Sequence, residues 1–140
     1  MVDAARLRAM LEHLADAEVM LGELRDRGAD VVGADVHLLN SAKYLYIVAA
    51  EAAIDAGQHV LASEAGAVPA TFAEVFEELG RAGWIPDDLA TSLASLARFR
   101  NLLVHGYADV DDDRVVQILT GEHLRDLARF RSELTDHITG

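Results

Sequence analysis

Leucine and other apolar residues recur at every third or fourth position along most of this chain, which is the spacing of one face of an α-helix. Val and Ile do not form the alternating runs that half-buried strands require. A short helix is predicted over 71–79, because Thr71-Phe72-Ala73-Glu74 matches a capping box. Four long helices are predicted over about residues 3–27, 36–62, 86–105 and 120–137. The pattern therefore predicts an all-α fold, an up-and-down helical bundle of four long helices plus one short helix.

The segments between these helices are predicted from their glycine, proline and aspartate content. Gly28–Asp35 is expected to be a loop, and Ser63–Ala70 is expected to be a turn. Asp109–Asp113 lacks the glycine and the distal glutamate of an EF-hand loop, so we interpret it as a solvated turn and helix cap. Val115–Leu119 is a short apolar stretch, and Thr120 is expected to cap the last helix.

The composition indicates one folded domain, covering residues 1–140. A content of 51% hydrophobic and 26% charged residues excludes a disordered chain. The absence of cysteine excludes a disulfide scaffold, a thiolate zinc site and a cysteine nucleophile. The first residues do not resemble a signal peptide, and no apolar run approaches the roughly 20 residues that span a bilayer. We therefore expect a soluble, cytoplasmic protein that does not enter a membrane.

The charge balance limits the possible partners of the chain. Twenty-four acidic residues against twelve Lys and Arg residues make the formal net charge −12. Such a chain repels phosphate backbones at long range, which argues against a general nucleic-acid binder. Any contact with RNA or DNA must come from a local basic site, or else the usual partner is another protein.

The predicted helix over residues 86–105 differs in charge from an ordinary surface helix. Leu89–Ala97 contains no charged residue, and the ten residues that follow contain only Arg98 and Arg100. In this strongly acidic chain, such a helix is either the central helix of the bundle or a helix that pairs with another subunit. Its polar end carries the side chains that are suited to chemistry, which are Arg100, Asn101, His105 and Tyr107.

Helix geometry determines which of these side chains lie together. Asn101 and His105 are four residues apart and offset by about 40°, so one lies above the other. Arg100 and Tyr107 are offset by about 20° if the helix continues past Gly106. Arg100 and His105 are about 140° apart and do not point at one spot in a single chain. A two-fold homodimer, with this helix and the helix over 36–62 at its interface, is expected to bring two copies of the motif into one cleft.

The segment Arg100-Asn101-Leu102-Leu103-Val104-His105-Gly106-Tyr107 resembles the Arg-x4-His-x-Tyr motif of the HEPN superfamily, in its HepT toxin branch. The flanking features agree with this resemblance, and they are Glu51–Asp55, Thr71–Leu79 and the acidic segment after Tyr107. The resemblance covers nearly the whole chain. It implies a toxin ribonuclease that works as a homodimer and is paired with a small MNT-type nucleotidyltransferase antitoxin.

The resemblance also implies a role for each motif residue. Arg100 and His105 are the expected catalytic pair, and Asn101 supports them. Tyr107 is the expected acceptor of AMP from the antitoxin, which would place an anion beside Arg100. The chemistry is reasonable without a metal, since His suits proton transfer from a ribose 2′-OH near neutral pH and a guanidinium suits a pentacoordinate phosphate.

Other interpretations remain open at this point. Without the resemblance, Arg100 is an ion-pairing residue, His105 caps a helix C-terminus, and Tyr107 is a half-buried aromatic residue. The alternative function is a non-catalytic binding subunit, whose motif serves only as docking surface and AMP acceptor for the nucleotidyltransferase. The acidic charge favours this alternative, because a ribonuclease gains from a basic cleft. A purely structural helical bundle is the third possibility.

The remaining polar residues do not indicate a metal or a cofactor. Asp55 and His59 are four residues apart, and we interpret them as a local pair instead of a catalytic dyad or half of a metal site. The other histidines outside the motif show no ligand spacing, and they are His13, His37, His123 and His137. We therefore assign no metal and no cofactor. Trp84 is expected to pack against the end of the bundle.

Overall fold

Helices account for most of the residues that the computed structural model describes, which are residues 1–64 and 68–139. Four helices are long: α1 (Ala4–Asp26), α3 (Val36–Glu64), α5 (Asp87–His105) and α7 (His123–Thr139). Three are short: α2 (Ala29–Gly33), α4 (Phe72–Arg81) and α6 (Asp112–Thr120). A 3-10 turn, Tyr107–Asp109, follows α5, and the described ranges contain no β-strand. The predicted all-α fold with four long helices is confirmed.

The four long helices form a ring around one apolar core. α1 packs against α3 and α7, and α5 also packs against both of these helices. The short α4 lies along α5 and contacts α3, which leaves α5 in contact with three helices. Phe76 of α4 and Phe130 of α7 are fully buried and meet edge to face, with ring centroids 5.6 Å apart. None of the described helices is long and apolar enough to cross a membrane.

Side-chain caps explain where several helices begin. Oδ1 of Asp3 accepts a hydrogen bond from the backbone N–H of Arg6 at 3.1 Å, which starts α1. Oγ1 of Thr71 accepts from the N–H of Glu74 at 3.2 Å, and the Glu74 carboxylate accepts from the N–H of Ala70 at 3.1 Å. The Thr71 bond confirms the predicted N-cap of α4, whereas the Glu74 carboxylate binds the N–H of Ala70, one residue before the N-cap, and not that of Thr71 as in a capping box.

Two segments that were predicted as links contain short helices. Gly28–Asp35 includes α2, whose Val32 is fully buried, and Asp35 caps α3 by accepting from the N–H of His37 at 2.8 Å. The acidic segment supplies the predicted cap, because Asp111 accepts from the N–H of Asp113 at 3.0 Å, but α6 then continues to Thr120. Helices of five and nine residues contain too few apolar positions to establish a period.

Two further predictions concern the bounds of α3 and α7. The predicted capping role of Thr120 is wrong, because Thr120 ends α6 and α7 begins at His123. The Thr120 hydroxyl donates to the carbonyl oxygen of Val116 at 2.9 Å, a bond within its own helix. The first two residues of the predicted turn Ser63–Ala70 are helical, since α3 extends to Glu64, and residues 65–67 lie outside the described residues.

Gly57 allows α3 and α4 to approach closely. A Cβ atom at this position would lie 2.7 Å from Cγ1 of Val75 and 3.1 Å from Cδ1 of Leu79, both on α4. Both distances are shorter than ordinary van der Waals contacts, and the Val75 side chain is branched at Cβ and buried. Glycine in a helix interior is destabilising by about 0.5–1 kcal/mol relative to alanine, so tight packing explains its presence here.

We expect Gly57→Ala to lower the free energy of unfolding by about 1–2 kcal/mol, because an overpacking cost of about 1–3 kcal/mol exceeds the gain in helix propensity. The matched control is Gly22→Ala in α1, where the added Cβ would meet only Nη2 of Arg25, at 3.5 Å. The control should raise the free energy of unfolding by up to about 1 kcal/mol. Urea denaturation measures both changes, and a more stable Gly57→Ala protein would contradict the close packing.

Candidate functional site

Arg100 lies near the C-terminal end of α5, with 15% of its side chain exposed. Its Nη2 donates to Oε1 of Glu51 on α3 at 2.7 Å, and its Nη1 donates to Oδ1 of Asn101 at 3.0 Å. Its Cζ lies 5.0 Å from the ring centroid of Phe72, the first residue of α4. Contacts with three helices therefore hold the guanidinium in one orientation. The sequence had indicated Glu51 only as a flanking feature of the motif, without a role.

His105 is the last residue of α5, and it is exposed. The backbone leaves helical geometry at Gly106, with φ −135° and ψ 39°. An open cleft of about 590 Å³ lies between the end of α5, the 3-10 turn and the start of α6. Its polar lining residues are Asn101, His105, Asp109, Asp111 and Arg114. The volume is within the range of about 300–1,000 Å³ that small-molecule sites occupy.

Asn101 connects Arg100 to the cleft. Its Oδ1 accepts the hydrogen bond from Arg100, and the residue lines the cleft together with His105. Arg100 itself points to Glu51 and does not line the cleft. A single chain therefore does not bring Arg100 and His105 to one point, as their offset of about 140° on a helix predicted.

Tyr107 begins the 3-10 turn, so α5 does not continue to this residue. Tyr107 is therefore not aligned with Arg100, as it would be if the helix continued unbroken. The Tyr107 hydroxyl donates to the carbonyl oxygen of Asn40 at 3.2 Å, and it lies 3.4 Å from Oδ1 of the same residue. Asn40 and Glu51 are separated by about 16 Å along the axis of α3. Tyr107 and Arg100 thus contact different parts of α3.

Lys43 is a site residue that the sequence analysis missed. Its side chain is 7% exposed, and its Nζ lies 4.8 Å from the ring centroid of Tyr107 and 3.6 Å from Oδ1 of Asp112. The same Nζ donates to the carbonyl oxygen of Tyr107 at 3.3 Å. Lys43 therefore joins α3 to the 3-10 turn and to the start of α6. The available signal was that it is the only lysine in the chain and lies in a largely apolar part of α3.

The profile of a protein family described as ribonuclease HepT-like matches residues 10–134. The chain belongs to the HepT-like family. This confirms the resemblance to the HepT branch of the HEPN superfamily that the motif indicated. The HepT-like chain is also similar to the tRNA nuclease HepT of Aphanizomenon flos-aquae, with 34% identity over 70 residues. The match covers 50% of this chain and 48% of that protein, so it spans about half of the relative's length.

Solved structures support the fold of this HepT-like chain. It is similar to the tri-AMPylated HEPN toxin of Shewanella oneidensis, solved in complex with an MNT antitoxin, with a TM-score of 0.85 and 21% identity. That match covers 97% of this chain and 99% of the toxin. This chain is also similar to YutE of Bacillus subtilis, a cytosolic protein of unknown function, with a TM-score of 0.83 and 15% identity. The match covers 98% of this chain and 91% of YutE. Likeness at these identities demonstrates a shared helical fold.

Burial within the HepT-like chain accounts for the uncharged run Leu89–Ala97 of α5. Six of its residues lie in the core, and they are Leu89, Ala90, Leu93, Ala94, Leu96 and Ala97. Of the two explanations for the uncharged run, the structure supports the central helix. Exposed apolar side chains occur further along α5, where Leu102 is 49% and Val104 is 42% exposed.

Two predictions concern residues outside the motif. Asp55 and His59 were expected to pair, but within the described ranges their side chains form no hydrogen bond or ion pair with each other. The buried Nε2 of His59 has no hydrogen-bond partner there. Burial raises the pKa of the Asp55 carboxyl, and the charge of Glu51 raises it further. Trp84, which was expected to pack against the end of the bundle, is half-buried and stacks on His137 of α7 with ring centroids 4.2 Å apart.

Proposed function

We propose that this chain is the toxin of a toxin–antitoxin pair, that it cleaves RNA without a metal ion, and that an MNT-type nucleotidyltransferase neutralises it by AMP transfer to Tyr107. The observation that carries the proposal is the exposed imidazole of His105 in an open cleft, next to an Asn101 that contacts the fixed guanidinium of Arg100. Membership of a family described as ribonuclease HepT-like supports the proposal, as does the similarity to a tRNA nuclease.

The proposed reaction is a transesterification within the RNA. His105 takes the proton from a ribose 2′-OH, since an imidazole changes charge near neutral pH. The 2′-oxygen forms a bond to the adjacent phosphorus while the bond between phosphorus and the 5′-oxygen breaks. A protonated imidazole returns a proton to the leaving 5′-oxygen, so the products are a 2′,3′-cyclic phosphate and a 5′-hydroxyl group. Arg100 stabilises the charge on the pentacoordinate phosphate, and the need for a 2′-OH restricts the substrate to RNA.

A two-fold homodimer would complete this site. Arg100 and His105 diverge in one chain, whereas an isologous contact through the end of α5 would bring Arg100 of one copy towards His105 of the other. Leu102 and Val104 are exposed beside His105, and Tyr44 on α3 is 65% exposed. Burying these apolar side chains against a second copy provides the driving force for association.

We expect His105→Ala to lower the rate of RNA cleavage by at least about 10²-fold, because it removes the general base. Arg100→Ala should have a loss of similar size, since it removes the group that stabilises the reacting phosphate. The matched control is Arg98→Ala, whose arginine lies on the same helix and pairs with Glu77 at 3.2 Å. A gel assay with tRNA and total RNA measures cleavage, and thermal melting verifies that each variant is folded.

The outcomes of this assay separate three cases. A loss in Arg100→Ala and His105→Ala with a normal Arg98→Ala supports catalysis by the motif. Cleavage at the wild-type rate by a folded His105→Ala protein would contradict the assignment of the base. Equal losses in all three variants would instead indicate a general effect of the substitutions on α5.

We expect Leu102→Glu to produce a monomer with little RNA cleavage, because a carboxylate in an isologous contact meets its own symmetry copy. Light scattering at micromolar concentration measures the mass of the particle. Val19→Glu is the matched control, since Val19 is a 62% exposed apolar residue of α1. It should remain a dimer with full activity. A monomeric wild-type protein that cleaves RNA would contradict the dimer.

Neutralisation would proceed by adenylyl transfer from ATP. The phenolic oxygen of Tyr107 attacks the α-phosphorus, pyrophosphate leaves, and the phenol proton passes to a base on the antitoxin. Tyr107 is 38% exposed, and its hydroxyl must first leave Asn40. Lys43 contacts the ring of Tyr107, whereas Arg100 binds Glu51, so the added phosphate would meet Lys43 and not Arg100, contrary to the expectation from the sequence. The AMP group would obstruct the cleft, because Gly106 before it lines that cleft.

We expect Tyr107→Phe to stay folded and to cleave RNA, because it loses only a hydroxyl whose bonds lie at the surface. Co-expression with the antitoxin should leave this variant active and unmodified. Tyr44→Phe, which changes an exposed tyrosine on α3, should still be neutralised. Intact-mass and peptide mass spectrometry locate the added AMP. An adduct on another residue, or full neutralisation of Tyr107→Phe, would contradict the assignment.

The second candidate function is a non-catalytic binding subunit of the nucleotidyltransferase. The net charge of −12 and the two carboxylates in the cleft, Asp109 and Asp111, favour it. In that case purified wild-type protein binds the nucleotidyltransferase and accepts AMP but leaves RNA intact at any concentration. The cleavage assay with the His105→Ala control therefore distinguishes the two functions.

A further inference from the structure

Arg114 lines the cleft of His105 from α6, whereas His105 and Asn101 line it from α5. Neither the Arg-x4-His-x-Tyr motif nor the helical pattern assigns a role to this arginine. In the described part of the chain, it is the only arginine or lysine that lines this cleft. The position of the guanidinium therefore decides what kind of group the cleft can accept.

The ring of Phe99 holds the guanidinium of Arg114. Its Cζ lies 4.9 Å from the ring centroid of Phe99, which is buried and meets Tyr46 edge to face at a centroid distance of 5.3 Å. A cation–π contact of this kind uses none of the N–H groups of the guanidinium in a conventional hydrogen bond. Burial raises the pKa of the Tyr46 hydroxyl, and the positive charge of Arg114 opposes this rise.

Arg114 differs from most other arginines in having no carboxylate partner. Seven of the eleven arginines form ion pairs within the described ranges, and they are Arg25, Arg81, Arg98, Arg100, Arg125, Arg129 and Arg131. Arg114 forms no such pair there, although the chain has twice as many acidic as basic residues. Its donors are thus free for a ligand, whereas Nη1 and Nη2 of Arg100 donate to Asn101 and Glu51 and its buried Nε has no partner in the described ranges.

Within the cleft, Arg114 is the residue whose side chain suits a nucleotide phosphate. Asp109 and Asp111 oppose the approach of an anion, and the net charge of −12 provides no attraction at long range. A planar guanidinium with free in-plane donors binds phosphate bidentately, which offsets that repulsion locally. Val110 adds apolar surface on which a base can lie.

We propose that Arg114 binds a phosphate of the RNA substrate, adjacent to the phosphate that is cleaved beside His105. This proposal rests on the proposed ribonuclease function and assigns a subsite for the neighbouring nucleotide to the cleft. Arg114 is then a binding residue, and Arg100 stabilises the reacting phosphate.

RNA binding by the His105→Ala protein, in which the substrate stays intact, tests this role. In that background Arg114→Gln should raise the Kd for a fluorescein-labelled single-stranded oligoribonucleotide about 10-fold, through loss of a charge-assisted contact. The slope of log Kd against log salt concentration should fall by about 0.7, the value for one phosphate of a single strand. Arg114→Lys should keep the slope but regain only part of the affinity, because an ammonium cannot bind bidentately.

The matched control is Arg6→Gln, which makes the same change of charge at the other end of the bundle. Arg6 lies at the start of α1, which is beside the end of α3 because the amino group of Met1 donates to the carbonyl oxygen of Ser63. Ser63 is about 30 Å along the axis of α3 from Lys43, which contacts Tyr107. Arg6→Gln should leave both the Kd and the salt slope unchanged. Thermal melting of each variant verifies that the fold is retained.

An unchanged Kd and salt slope in Arg114→Gln would overturn the proposal, and so would a failure of the His105→Ala protein to bind RNA. If wild-type protein cleaves RNA and Arg114→Gln binds and cleaves it equally well, only the assignment of Arg114 fails. If wild-type protein leaves RNA intact while Arg114→Gln still weakens binding, the ribonuclease proposal fails and the phosphate site stands.

Discussion

The burial of the run Leu89–Ala97 in α5 holds the motif in position. Leu89 and Leu93 are fully buried in a helix that packs against α3, α4 and α7, so α5 cannot shift or rotate without disrupting the core. A charged residue in this stretch would need a buried partner to offset its desolvation, and the stretch contains none. The motif side chains occupy the last turns of the helix, where Asn101 and His105 reach the cleft.

The acidic composition makes the placement of each cation informative. An arginine in such a chain has many carboxylates available, and most of the arginines pair with one. Arg100 is fixed by Glu51, and Lys43 lies against Asp112 and the ring of Tyr107. Arg114 is exposed, lies over the ring of Phe99 and has no carboxylate partner in the described ranges. Three cations near one end of α5 thus have three different surroundings, and we propose three different tasks for them.

Because α5 ends at His105, the proposed catalytic base and the proposed AMP acceptor, Tyr107, lie in different elements of the structure. Because the helix stops before Gly106, Tyr107 turns towards Asn40 and Lys43 instead of lying above Arg100. Gly106 itself lines the cleft, so a group added to the next residue would lie at the cleft without contacting the apolar core. In the proposed mechanism, AMP transfer then blocks access to His105 and leaves the packing of the bundle unchanged.

The sequence by itself determined the all-α class, the four long helices, the N-cap at Thr71 and the family, because periodicity, caps and an eight-residue motif are local properties of the chain. It did not reveal α2 or α6, whose few apolar positions establish no period. Only the tertiary structure decided the partners of the site. Glu51 and Arg100 are 49 residues apart, and Lys43 and Tyr107 are 64 residues apart. Contacts over such separations depend on how whole helices pack, and no local pattern in the chain encodes that packing.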